Sequence, residues 1–162
     1  MGRRISLIEN NRKLVRQTLQ STGQFRNVIK ASKGLSEGLS HKIVKFWITT
    51  WLDEHHIDYY TEGSLRATNG RIDVIVENWA IILEVLSSET RAKFLKKAYP
   101  LPTIPVTTGT SCKELFVMLQ ELFNTNGTVA DYYVKKYVTA LDDWTPIKQQ
   151  KNIADLMPEG FM

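Results

Sequence analysis

The order of apolar patterns predicts an α+β domain, a mixed central sheet flanked by helices. Three observations carry this. A run with helical period precedes three short β-branched or aromatic runs, and a second helical stretch separates the third run from a fourth. A helix between two strands of one sheet makes them parallel neighbours, whereas the tight turn between the second and third runs makes those antiparallel. At 162 residues the chain is long enough to bury one core without disulfide or metal staples.

Residues 6–19 carry apolar positions at Leu7, Ile8, Leu14, Val15 and Leu19 among charges, with Asn10 and Asn11 interrupting, which predicts a short, loosely attached helix. Gly23, Gly34 and Gly38 with nearby serines read as turn or linker, and Ser40 is a good N-cap. From His41 to His55, Ile43, Val44, Phe46, Trp47, Ile48, Trp51 and Leu52 recur at spacings of three and four, the period of a buried helix face. Trp47 and Trp51, four apart, are expected in the core.

Ile57 to Glu62 reads as a strand, and the polar stretch from Gly63 to Gly70 as a loop. Arg71 to Val76 alternates, and Trp79 to Leu86 after the turn at Glu77–Asn78 is almost continuously apolar, which predicts a hairpin with a central second strand. Ser87 or Ser88 is expected to cap a helix through about Ala98, stopped by Pro100, Pro102 and Pro105 before a strand around Ile104 to Thr107. Further helices are expected over Lys113–Phe123 and, after Asn124–Gly127, over Val129–Leu141, with weak signals from Trp144 onward. This divides the chain into a basic N-terminal arm (1–39), a core (40–123) and a C-terminal helical extension (124–162) of one domain overall.

Over residues 1–35 the eight basic residues, among them Arg3, Arg4, Arg12, Lys13 and Arg16, face the single acid Glu9. A basic arm on a near-neutral body suits a phosphate backbone, because each cation placed near a phosphate releases condensed counterions. These five residues, with Arg66 and Arg71, are the expected nucleic-acid contacts, and DNA is the expected partner. No apolar run approaches the roughly 18 residues that span a bilayer, so no membrane partner is expected. The single cysteine, Cys112, excludes an internal disulfide and suits a reducing, intracellular setting, cytoplasmic or nucleoid. No phosphate-binding glycine loop, nucleophile elbow or zinc spacing is present, which disfavours nucleotide hydrolysis and acyl transfer. A homodimer is compatible with the sequence.

Two acids interrupt the apolar hairpin: Asp73 in Gly70-Arg71-Ile72-Asp73, and Glu84 in Leu83-Glu84-Val85. An ionised carboxylate among Ile, Leu and Val is costly to bury unless it is paired or ligates a cation. Two on neighbouring strands suggest Mg²⁺ or Mn²⁺, which such oxygen ligands suit. The bland alternative is structural pairing of Asp73 with Arg71 or Arg66, and of Glu84 with backbone donors or His41.

Helix, strand, strand with Asp73, strand with Glu84, helix, strand resembles the PD-(D/E)XK nucleases, a family of restriction-endonuclease-like and Holliday-junction-resolvase-like enzymes, from about Ser40 to Gly109. The resemblance implies a metal-dependent nuclease acting on DNA phosphodiesters, with Asp73 and Glu84 as metal carboxylates. Where the family carries its lysine, two residues after the second acid, this chain has Leu86. Family members relocate that lysine, so the resemblance implies Lys93 as the third catalytic residue, with Arg91 or Lys42 as other stand-ins; for the acid that many members carry on the first helix, Glu37 and Glu54 stand nearby and Glu62 is the candidate third metal acid. The alternative expectation is a disabled nuclease fold that binds nucleic acid or a partner protein.

Overall fold

The computed structural model describes residues 6–20, 25–27, 38–68, 70–87 and 89–144. Arg3, Arg4, Gly23, Gly34, Glu37, Ser88 and the tail beyond Trp144 lie outside the described residues. The elements run α1 (Leu7–Thr18), β1 (Phe25–Arg26), α2 (Leu39–Glu54), β2 (Tyr59–Ser64), β3 (Arg71–Val76), β4 (Ile81–Leu86), α3 (Arg91–Lys96), β5 (Thr103–Thr107), α4 (Cys112–Asn124) and α5 (Ala130–Ala140), followed by a 3₁₀ turn over Leu141–Asp143. The five strands form one sheet in the order β1-β2-β3-β4-β5, antiparallel as far as β4. β5 pairs parallel to β4, with α3 in the crossover. The fold is the mixed α+β architecture that the apolar patterns predict.

Both faces of the sheet are apolar, and each is covered. On one face Val74, Val76, Leu83, Val85 and Ile104 pack with Trp47, Ile48 and Leu52 of α2, Leu115, Leu119 and Leu122 of α4, and Tyr133 of α5. Trp47 and Trp51 are buried there as expected, and of the apolar residues expected on the buried face of α2 the structure removes only Phe46, 47% exposed. Gly127, at φ +82, ends the link from α4; a Cβ at this position would lie 2.8 Å from Trp79 Cβ and 3.2 Å from its carbonyl oxygen. Only glycine combines that backbone conformation with so close an approach.

The other face corrects an expectation. α1 is not a loose helix: Val15 and Leu19 are buried with Leu65, Ile72, Ile75, Ala80, Ile82 and Leu101. The reason lies in β3 and β4, whose residues are apolar on both sides, so the face away from α2 also needs a cover. Burying Val15 and Leu19 contributes roughly 1.5–3 kcal/mol each. The Ser6 side chain caps α1 by accepting the Glu9 N–H.

Smaller differences have local causes. α2 starts after Gly38, not Ser40. α3 spans six residues rather than reaching from a cap at Ser87 or Ser88 to about Ala98; it starts late because its cap is the Thr90 hydroxyl, which accepts the Lys93 N–H. Ala80 takes φ +52 in the turn, so β4 begins at Ile81. β2 continues through Gly63 and Ser64, residues expected in a loop. No helix among the described residues is long and apolar enough to cross a membrane.

Candidate functional site

The site is built where the sheet's ladders break. Along β2 and β3 the pairs run Tyr59↔Val76, Tyr60↔Ile75 and Thr61↔Val74, then resume at Gly63↔Ile72. Glu62 and Asp73 stand opposite each other in that register, and their pair is missing from the ladder. The β3–β4 ladder likewise stops at Val74↔Leu83, one step short of Asp73 opposite Glu84. Glu62, Asp73 and Glu84 therefore occupy one row across three adjacent strands, and Glu84 in turn pairs with Pro105 of β5.

Strict alternation would set Asp73 on the side of Ile75. Instead Ile72 and Ile75 share the α1 face, while Val74 and Val76 face α2. The break in alternation falls at Asp73, and its carboxylate meets α2: Oδ2 lies 3.4 Å from His41 Nε2, and Oδ1 lies 4.0 Å from Lys45 Nζ. The same slip occurs on β2, where Glu62 takes φ +54. A non-glycine residue in that region costs on the order of 1–3 kcal/mol and persists only where its surroundings hold it. Here Lys45 Nζ donates to Glu62 Oε1, and Arg71 Nη2 lies 3.2 Å from Glu62 Oε2.

Glu84 completes the group from β4. Its Oε1 accepts the Asp73 backbone N–H at 2.7 Å, and its Oε2 accepts the Tyr99 hydroxyl at 3.0 Å. In return Asp73 Oδ2 accepts the Val85 N–H at 2.9 Å. The two side chains thus take backbone donors where the ladder has opened, so the split leaves no orphaned N–H at Asp73 or Val85. Burial, and next the neighbouring Asp73 carboxylate, push the Glu84 carboxyl up to about 8. The Tyr99 phenol is raised as well, first by burial and then by Glu84, so it remains a donor.

Lys45 is 1% exposed, inside the apolar run Ile43-Val44-Lys45-Phe46-Trp47. Its position follows from α2: His41 and Lys45 are four residues apart and share a helix face. A buried ammonium is tolerated only with partners, and Glu62 supplies one. Lys45 and Tyr99 were not among the expected site residues, and His41, expected as a structural partner of Glu84, lies against Asp73 instead. The signal for Lys45 was present as a cation interrupting a buried helix face, whereas Tyr99 sits in a connection whose path has no local pattern.

Of the expected residues, Asp73, Glu84 and Glu62 are brought together. Lys93 is exposed on α3 and forms no ion pair with a described acid. Arg91 pairs with Asp142 at 2.8 Å, away from the row. Leu86 is buried with Phe94, Val138 and Leu141, so its side chain belongs to the core. Among the basic residues, Arg12 pairs with Asp58 at 2.9 Å, and Arg16 with the fully buried Glu77 at 3.2 Å. Arg26 joins both acids, at 3.3 Å from Asp58 and 3.0 Å from Glu77. Arg71 is 65% exposed beside Glu62, and Lys13 and Arg66 are exposed at a cleft beside α1.

No family model, curated protein or solved structure matches this chain.

The donors fit a small hard cation. Asp73 and Glu84 present carboxylate oxygens on neighbouring strands, and the Glu84 carboxyl is raised first by burial and then by the Asp73 carboxylate. Among the described residues no three His, Cys, Asp or Glu side chains are grouped to hold an ion. Mg²⁺ does not require three, since it keeps several waters and takes one or two carboxylates plus substrate phosphate oxygens.

Proposed function

We propose that this chain is a divalent-metal-dependent nuclease acting on phosphodiester bonds of DNA. The observation that carries the reading is the shared row of Glu62, Asp73 and Glu84 at a break in the ladders, with the Lys45 ammonium entering from α2. The element order from α2 to β5 also agrees with the order expected for the PD-(D/E)XK nucleases.

Asp73 and Glu84 would hold Mg²⁺ or Mn²⁺, which when bound would polarise a phosphodiester and activate a water. Lys45 takes the part of the lysine absent at Leu86: held by Glu62 and 4.0 Å from Asp73 Oδ1, it offers a fixed positive charge to an attacking water or a developing phosphorane. Because the ammonium is buried, its field is screened less than that of a surface lysine such as Lys93. Tyr99 orients Glu84 through its Oε2, and the Asp73 N–H orients it through Oε1. Arg71, tethered by Glu62 yet mostly exposed, is placed to meet a substrate phosphate.

Labelled plasmid and linear duplex incubated with Mg²⁺ or Mn²⁺ test the proposal. Wild type is expected to cleave and Glu84→Ala to lose cleavage, and equal cleavage by both would remove the assignment.

A second reading is favoured by one observation: the Lys45–Glu62 pair and the mutual backbone bonds of Asp73 and Glu84 satisfy the acids without any ion. In that case the fold holds DNA or a partner protein without cutting. Salt-sensitive binding that a chelator leaves unchanged, with no cleavage, distinguishes it.

A further inference from the structure

Beside α1 lies a cleft of about 510 Å³ lined by Glu9, Lys13, Arg16, Gln17 and Arg66. Its cations come from two separate elements, the outer face of α1 and the turn after β2. The Arg66 Nε donates to the Leu19 carbonyl, which fixes the side chain, and its terminal nitrogens make no ion pair with a described acid. Lys13 likewise pairs with no described acid, whereas Arg12 and Arg26 are neutralised by Asp58 and Glu77. Arg16 lies between these cases, since it is 63% exposed while touching Glu77. Among the described residues of the basic N-terminal stretch, Arg12, Arg16 and Arg26 are thus held by acids of the fold, and Lys13 is not.

We infer that this cleft is a second seat for backbone phosphates of a polynucleotide, distinct from the acid row. The inference rests on the proposed action on nucleic acid and adds a length requirement to it. Arg66 lies in the turn after β2, and α1 covers the sheet face opposite the one on which Glu62 and Asp73 meet Lys45 of α2, so the cleft and the acids lie on opposite sides of the sheet. A polynucleotide strand advances about 3.4 Å per nucleotide along a duplex axis, so a strand that passes from the cleft round the sheet to the acids must span several nucleotides. A mononucleotide or a very short oligomer reaches only one of the two places.

Fluorescence anisotropy in a chelator, with a labelled 12-base-pair duplex and a labelled trinucleotide at several salt concentrations, tests this without requiring cleavage. Lys13→Ala with Arg66→Ala is expected to weaken binding of the duplex about tenfold and to flatten its salt slope by about two counterions, with little effect on the trinucleotide. Lys13→Ala alone, which removes an exposed side chain and no core contact, is expected to flatten the slope by about one and keeps the test open if the Arg66 change unfolds the chain. Unchanged affinity for the duplex, equal weakening at both lengths, or displacement by polyglutamate at matched charge would each overturn the inference. Loss of the nuclease proposal would show as intact binding without cleavage, a different result.

Discussion

Asp73 and Glu84 hold each other through the main chain: the Asp73 N–H donates to Glu84 Oε1 at 2.7 Å, and Asp73 Oδ2 accepts the Val85 N–H at 2.9 Å. The sheet is open at that row, and side chains rather than carbonyls close it. Two carboxylates in such an arrangement resist being charged together, which gives the site a measurable dependence on pH.

In the ion-free protein the Glu84 carboxyl is raised from its ordinary 4.5 to about 8, by burial first and by Asp73 second. Between those values the folded state binds a proton that the unfolded state has released, so this group's contribution to stability is full below pH 4.5 and is lost as pH rises through about 8. The slope for one such proton is about 1.4 kcal/mol per pH unit at most. Urea unfolding in EDTA at pH 5, 6.5 and 8 is expected to show stability falling with pH, and Glu84→Gln to flatten the trend; parallel pH trends for the two proteins would contradict it.

Lys45→Met is expected to destabilise the fold by about 3–5 kcal/mol, because it leaves Glu62 and Asp73 without their buried cation. Lys45→Met with Glu62→Gln is expected to recover much of that stability while cleavage stays absent. Recovery of cleavage in the double variant, measured on labelled duplex, would show that Lys45 serves only the fold.

Tyr99→Phe removes the hydroxyl that donates to Glu84 Oε2. A role in orientation predicts a fall in kcat of about tenfold with KM nearly unchanged, together with a loss of stability of about 1 kcal/mol. A change confined to KM would place Tyr99 at the substrate instead.

Leu19→Ala should cost about 2–5 kcal/mol, the range for a fully enclosed leucine. A loss below about 0.5 kcal/mol by chemical denaturation would restore the picture of α1 as a detached arm.

The helix over α2, the β3–β4 hairpin and the parallel return through β5 were legible because each rests on a short-range period that burial enforces. Asp73 and Glu84 were legible for the opposite reason, as charges that break such a period. Lys45 was present in the same helical run but hidden by it: a lysine on an amphipathic helix normally lies in water, and only the register slip at Glu62 and Asp73 turns acids towards it. Such a slip depends on three strands at once and has no local signature. α1 was misjudged because Asn10 and Asn11 weaken its pattern, while the need for it arises from the far side of β3 and β4. The roles of Arg12 and Arg16 were equally hidden, since charge counting does not reveal that Asp58 and Glu77 stand beneath them.

The most direct test of the acid row is anomalous diffraction from a crystal soaked in Mn²⁺. One strong peak is expected about 2 Å from carboxylate oxygens of both Asp73 and Glu84, lost in Glu84→Gln. A featureless map at that row at millimolar Mn²⁺, or a peak that survives the substitution, would contradict it.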